Sequence, residues 1–230
     1  PIGTLIGTFG TFSYPLGGFN VIDTTGFSAL AATQGWGTLK DPAVPATSTQ
    51  SVVVETIPYF EIDTGTTINQ DASLEWPLHW PMAGLSTFVY LFRISATTTI
   101  RMFIGYTDQT MATMLASDNP AGNYAGLQFS SARGDTNLQY VTKDGTTQNL
   151  QDSGVAASGV TPYIFKMANE GGTAILMALF SDNWAQTGST VTVTANRPSG
   201  IGRTAAGARC LAGAAARTFR TAFAYESAGV

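Results

Sequence analysis

Apolar and polar residues alternate with a period of two along most of this chain, the pattern of strands that bury one face. From Thr87 to Ile94, Phe88, Tyr90, Phe92 and Ile94 fall on one side and Val89, Leu91 and Arg93 on the other, which predicts a central strand. Ile100, Met102 and Ile104 repeat the alternation after a turn at Ala96-Thr97-Thr98. The densest series lies between Leu127 and Met167. There Leu138 and Tyr140 oppose Asn137 and Gln139, and the pattern returns at Tyr163, Phe165 and Met167. Asp144-Gly145 supplies the positive backbone angles of a two-residue hairpin turn, so 137–142 and 146–151 are expected to pair antiparallel.

The remaining segments follow the same grammar. Ser51–Ile57 and Tyr59–Ile62 read as strands, the second ended by Asp63-Thr-Gly65. Trp76-Pro77 and Trp80-Pro81 exclude a central strand, because proline cannot donate to a ladder. MATML within 107–123 is the one passage where a helical turn is credible. Gly171-Gly172 divides 162–168 from Ala174–Phe180, which predicts a hairpin, and AILMALF is apolar on both faces, as in a strand away from the sheet edge. Thr190–Thr194 alternates valine inward with threonine outward, and 196–217 reads as a glycine- and alanine-rich loop region. Thr218–Tyr225 closes a sheet with Phe219, Phe223 and Tyr225 on one face. About ten to fourteen short strands without a long helix define an all-β, two-sheet antiparallel sandwich.

Residues 1–20 break the rhythm. Their aromatic and aliphatic residues, with five glycines and two prolines, have no sustained period. They read as an extended N-terminal arm, and 21–230 as a single sandwich domain. Apolar residues in so irregular a segment are costly to leave wet, so Ile2, Leu5, Ile6, Phe9, Phe12, Tyr14 and Phe19 are expected to pack along their own sandwich or against a neighbour.

The order of the pieces resembles the concanavalin A-like jelly-roll domains of bacteriophage virion proteins, particularly tail fibres and head spikes. The series runs from the arginine-bearing strand at 88–94 through Arg101–Tyr106, Leu127–Phe129, Gly134-Asp-Thr-Asn137, a strand, Asp-Gly, Asp152–Val155, the strand at 162–168, and Ala214–Phe219. Where members usually carry a tryptophan after the asparagine, this chain has Leu138. The resemblance covers roughly 85–226. It implies a jelly roll of the lectin/glucanase type on the exterior of a virus particle, made in the host cytoplasm. The expected work is assembly, as a homo-oligomer (a trimer on the resemblance alone) and with other virion proteins. The alternative is a receptor-recognition module for a host surface glycan.

Composition and charge narrow this picture. Charged residues make up 11% of the chain against roughly 25% in ordinary soluble domains. Such a surface belongs either to an exposed, threonine-faced β protein or to a subunit covered by neighbours. Residues 1–90 hold seven acids and one base, whereas 191–230 hold one acid and five arginines. Opposite ends of the chain therefore attract, within one molecule or between subunits, and Arg203, Arg209 and Arg217 are the candidates for subunit contacts. Without interleaved aromatics these arginines do not make a nucleic-acid groove. Cys210 is the only cysteine, so no intrachain disulfide forms. No apolar run approaches the ~18 residues of a membrane span, so membrane insertion is not expected. Pro1 suits removal of an initiator methionine.

Catalysis finds little support. His79 is the single histidine, and with one cysteine it gives neither a zinc site nor a triad, so no metal or other cofactor is expected. Some concanavalin A-like glycanases carry Glu-x-Asp-x-x-Glu on one strand. Here Glu61-Ile-Asp63 begins that pattern and Thr66 ends it, leaving the carboxylate pair incomplete. A degenerate glycanase is the least favoured reading. For carbohydrate, Asp135 and Asn137 are candidates to hydrogen-bond sugar hydroxyls or ligate calcium, with Tyr124 or Trp184 as a stacking face. The competing reading makes Gly134, Asp135 and Asn137 turn residues that satisfy local backbone.

Overall fold

The computed structural model describes residues 38–40, 50–53, 59–75, 80–213 and 215–228. In chain order the strands are β1 (Thr38–Lys40), β2 (Gln50–Val53), β3 (Tyr59–Asp63), β4 (Asp71–Glu75) and β5 (Trp80–Pro81). Next come β6 (Ser86–Ile94), β7 (Ile100–Thr107), β8 (Gly122–Ser130), β9 (Asn137–Gly145) and β10 (Gln148–Ala156). The last are β11 (Tyr163–Asn169), β12 (Ile175–Phe180), β13 (Gln186–Val193), β14 (Ile201–Cys210) and β15 (Thr218–Ala228). One short helix, α1 (Met111–Met114), stands where MATML predicts a helical turn.

The strands form two antiparallel sheets. One runs β1-β4-β14-β7-β8-β9-β10 with β5 attached to β14, and the other runs β13-β12-β11-β6-β15-β3-β2. The expected two-sheet sandwich is what the chain builds. β6 and β7, the two most regular alternations in the sequence, occupy the middle of their sheets. Their inward residues Phe88, Tyr90, Phe92 and Ile94 meet Ile100, Met102, Ile104 and Tyr106 in one core. Aromatic rings interlock in this core: Phe88 lies 5.5 Å from Tyr106 of the facing sheet and 6.1 Å from Phe165 of its own, and Phe92 stacks on Phe219 of the neighbouring strand at 6.3 Å. Each such side chain, fully buried, stabilises the fold by about 1.5–3 kcal/mol. The turn between β6 and β7 crosses from one sheet to the other and carries Thr99 at φ 52°. Arg217 holds it, donating from Nε to Thr98 O and to Thr99 Oγ1, both at 3.0 Å.

Three sequence expectations need correction. The β9–β10 reversal is a four-residue turn, with Lys143 opposite Gln148. Asp144 organises it by accepting from Thr146 N at 3.0 Å and Thr147 N at 2.8 Å, an Asx-type turn that competes successfully with the two-residue form. The 196–217 region is not a loop. It contains β14, ten residues long and paired with β7 from Arg203 to Cys210. Alanine and glycine suit a strand whose neighbours come very close: a Cβ at Gly207 would stand 2.5 Å from Ala72 O. Finally, β15 shifts register between Thr221 and Phe223, so Phe223 stands opposite Leu91 and Tyr225 opposite Val89, out of phase with Phe219, which stands opposite Ile94. Other expectations hold: β11 and β12 form the hairpin, and β13 directs Val193 into the core.

One side of the sandwich is nearly shut. A Cβ on Gly188 of β13 would come 2.3 Å from Ser153 O of β10. Tyr140 adds a hydrogen bond from its hydroxyl to Ser189 O at 3.0 Å, tying the two sheets together. Both edge strands also carry a register shift, at Asp152/Ala156 in the β10 pairing and at Met177/Leu179 in the β13 pairing.

Candidate functional site

The outer face of the β7-centred sheet is covered by residues 108–121. In the middle of that face, register aligns Ala205, Gly105 and Gly126 in a row of small residues. Gly105 sits at φ 153°, and a Cβ there would stand 2.1 Å from Ala125 O, so glycine is required. The row leaves room for Met111, Met114 and Leu115, each fully buried, to pack with Phe103, Tyr124, Val141 and Ala205. Thr110 caps the helical turn, accepting from Thr113 N at 3.4 Å.

Charged side chains fasten this strap. Glu75 accepts from Met111 N at 3.0 Å and pairs with Arg203 at 3.0 Å. Arg209 grips Asp71 with two hydrogen bonds and donates to Ala112 O at 3.1 Å. Arg101 reaches Asp118 at 2.7 Å and Leu115 O at 2.8 Å. Lys143 donates to Asn119 Oδ1 at 2.8 Å and Pro120 O at 2.7 Å. Burial pushes the Asp118 carboxyl up, but hydrogen bonds from Arg101 and Ser130 and the charges of Arg101 and Arg133 outweigh it and hold the group below the usual carboxylate range.

This network uses up residues that the sequence offers for other work. Arg203 and Arg209 make ion pairs with the acidic N-terminal half inside one molecule, and Arg217 is spent on the β6–β7 turn. Tyr124 offers no stacking face. Its ring is fully buried, Gln148 donates to its hydroxyl at 3.0 Å, and burial pushes its pKa up to about 12. Ile2, Leu5, Ile6, Phe9, Phe12, Tyr14 and Phe19 lie outside the described residues, as does His79.

The GDTN segment is a turn with its own ion pair. Asp135 accepts from Ser130 N at 2.8 Å and receives both forks of Arg133, at 2.8 and 2.6 Å. Arg133, two residues upstream, is the partner that sequence reading missed, although an i, i+2 charge pair across a turn glycine is visible in Arg-Gly-Asp. Asn137 donates to both oxygens of Asp152 at 3.0 Å, across the β9–β10 ladder. Trp184 stands apart from both, at the β12–β13 hairpin tip, with φ 65° and its ring 6.0 Å from Phe180. The four candidate ligand residues therefore do not converge. Asp63, of the incomplete acidic motif, accepts from Gly65 N at 2.6 Å in the turn that ends β3.

What the GDTN turn does border is an open groove of about 480 Å³ at one end of the sandwich, walled by Thr97, Thr98, Thr99, Ser131, Ala132 and Asp135. Its walls are rich in hydroxyl groups. Among the described residues no three His, Cys, Asp or Glu side chains cluster as a metal site would require.

This architecture is that of the concanavalin A-like lectins and glucanases. The chain is similar to peanut lectin, with 12% identity, a TM-score of 0.51, and coverage of 83% of this chain and 94% of that one. It is similar to a β-glucanase of Bacillus licheniformis, with 7% identity, a TM-score of 0.52, and coverage of 82% and 96%. A protein of unknown function from Shewanella oneidensis MR-1 matches it over 97% of both chains, with 16% identity and a TM-score of 0.66. No family model matches the sequence, and the curated proteins give no significant match. At these identities the likeness shows the fold. It carries no link to a bacteriophage particle, so the virion role rests on the sequence resemblance alone.

Proposed function

We propose that this protein is a non-catalytic carbohydrate-binding module whose site is the groove at the end of β6, β8 and β14. The observation that carries this reading is the groove itself, set on a fold shared with lectins and walled by the hydroxyl-bearing residues Thr97, Thr98, Thr99 and Ser131, of which Thr99 also accepts from Arg217 and Ser131 bonds the Ile100 backbone. Hydroxyl walls suit a ligand that both donates and accepts hydrogen bonds without charge. Absence of catalysis is supported by the engagement of Asp71, Glu75, Asp118 and Asp135 in ion pairs, which leaves none of the four poised as a proton donor beside a nucleophile.

The test is a glycan-binding screen of the wild-type protein and of Ala132→Trp, which fills the groove from an exposed position. Binding to neutral oligosaccharides is expected in the wild type and lost in the variant, with unchanged thermal stability. The bound oligosaccharide should be recovered uncleaved. Full affinity in Ala132→Trp would move the site elsewhere, and cleavage products would overturn the non-catalytic reading.

A further inference from the structure

The groove has a wall of a second kind. Leu211, directly after β14, lines it together with the threonines, and among the described lining residues it is the one large apolar side chain. Its place beside the hydroxyl wall is fixed, because Leu211 N donates to Thr99 O at 2.8 Å. Thr99 stands at φ 52°, a costly angle for a β-branched residue, and Arg217 holds it there by donating to Thr98 O and Thr99 Oγ1. Strain of this kind persists only where the surroundings over-determine it, and here it sets a threonine wall next to a leucine. Beyond the leucine, Asn69 N donates to Cys210 O at 2.8 Å and Cys210 N to Gln70 O at 2.9 Å, which brings the turn carrying Ile68, 54% exposed, alongside.

The charges nearby are spent. Arg133 neutralises Asp135 through two hydrogen bonds, and Arg217 also donates to Ala215 O and Ala216 O. Thr99 Oγ1 and Ser131 Oγ bond within the chain, whereas the hydroxyls of Thr97 and of the exposed Thr98 have no partner among the described residues. Two free hydroxyl groups and an apolar side chain therefore share one groove. We infer that the groove prefers a neutral sugar carrying a methyl group, the methyl seated on Leu211 and the sugar's hydroxyl groups bonded to Thr97 and Thr98. This rests on the carbohydrate reading of the groove and adds Leu211 as the residue that sets its specificity. A plain hexose carries a hydroxyl on nearly every carbon and covers Leu211 poorly, whereas a methyl group placed there leaves water along with the leucine. The methyl has two sources, the acetamido group of an N-acetyl sugar or the terminal carbon of a 6-deoxy sugar.

NMR titration of the full chain with glucose, N-acetylglucosamine and 6-deoxyglucose, and with the same series built on galactose, tests this through the amides of Thr97–Thr99, Ala132 and Leu211. A methyl-bearing sugar is expected to bind about three- to tenfold tighter than its parent hexose, the gain of covering one methyl group in an open site. Whether the acetamido or the 6-deoxy sugar shows that gain identifies the source. Leu211→Ser should reduce it to the affinity of the parent hexose without changing that affinity, and Leu211→Met should keep the preference. Equal affinity for all members of both series, or a preference that survives Leu211→Ser, overturns the inference; if Ala132→Trp abolishes that equal binding, the groove reading stands without it. Absence of binding by every sugar, or binding that Ala132→Trp leaves intact, overturns the groove reading and this inference together.

Discussion

The two sheets cover their outer faces in different ways. Over the β7-centred sheet, residues 108–121 combine three fully buried apolar side chains with ion pairs from Glu75, Asp71 and Asp118. Over the β6-centred sheet, Val89, Leu91 and Ile164 are buried with Phe180 and Trp184 packed against them. The first face has buried charges that must stay paired; the Val89–Leu91–Ile164 patch of the second is held by apolar packing. A strap built on buried ion pairs is brittle to loss of one partner, because a buried charge then loses compensation.

The largest effect should therefore come from Arg209→Ala. Removing the guanidinium takes away both Arg209 bonds to the fully buried Asp71 and the bond to Ala112 O, and is expected to cost about 3–5 kcal/mol in urea denaturation. The double substitution Asp71→Leu with Arg209→Met should recover much of that loss; if it does not, the pair is not the cause. Next, Leu115→Ala should cost about 2–5 kcal/mol and expose 108–121 to limited proteolysis. On the other face Trp184, half-buried at a hairpin tip, should cost under about 2 kcal/mol as Trp184→Ala, since less surface is uncovered. A Trp184 loss larger than that of Leu115 would reverse the comparison.

The smallest effect is in acid. The folded Asp118 carboxyl titrates below its unfolded value, so its stabilising share is fully present above about pH 4 and is lost as pH falls through the lowered value. Asp118→Asn should flatten the dependence of melting temperature on pH below that point and change it little at neutrality. An unchanged acid profile would show that Arg101 gains nothing from the charge.

The fold was largely legible because burial on one face writes itself as alternation. Phe88 through Ile94 and Ile100 through Ile104 announce their strands without help from the rest of the chain. β14 was hidden because its residues are small for a tertiary reason, the close approach of β4 at Gly207, and a run of alanine and glycine carries no periodicity. Asp144-Gly145 was read as a two-residue turn, yet the Asp144 side chain selects a longer one. The site was less legible still. Asp135 and Asn137 look like ligands in sequence; Arg133, the partner of Asp135, is two residues away and readable in Arg-Gly-Asp, whereas Asp152, the partner of Asn137, is a contact that only the folded chain brings to hydrogen-bonding distance.

The near contact of Gly188 with Ser153 has a consequence for association. A passing polypeptide in extended form joins a sheet by lying along an edge with free amides and carbonyls. Along β10 and β13 the two edges are pressed together, pinned by the hydroxyl of Tyr140 and kinked by their register shifts. That flank cannot accept a guest strand, so polymerisation by edge addition is blocked there, and β10 and β13 can meet neighbours only through their side chains.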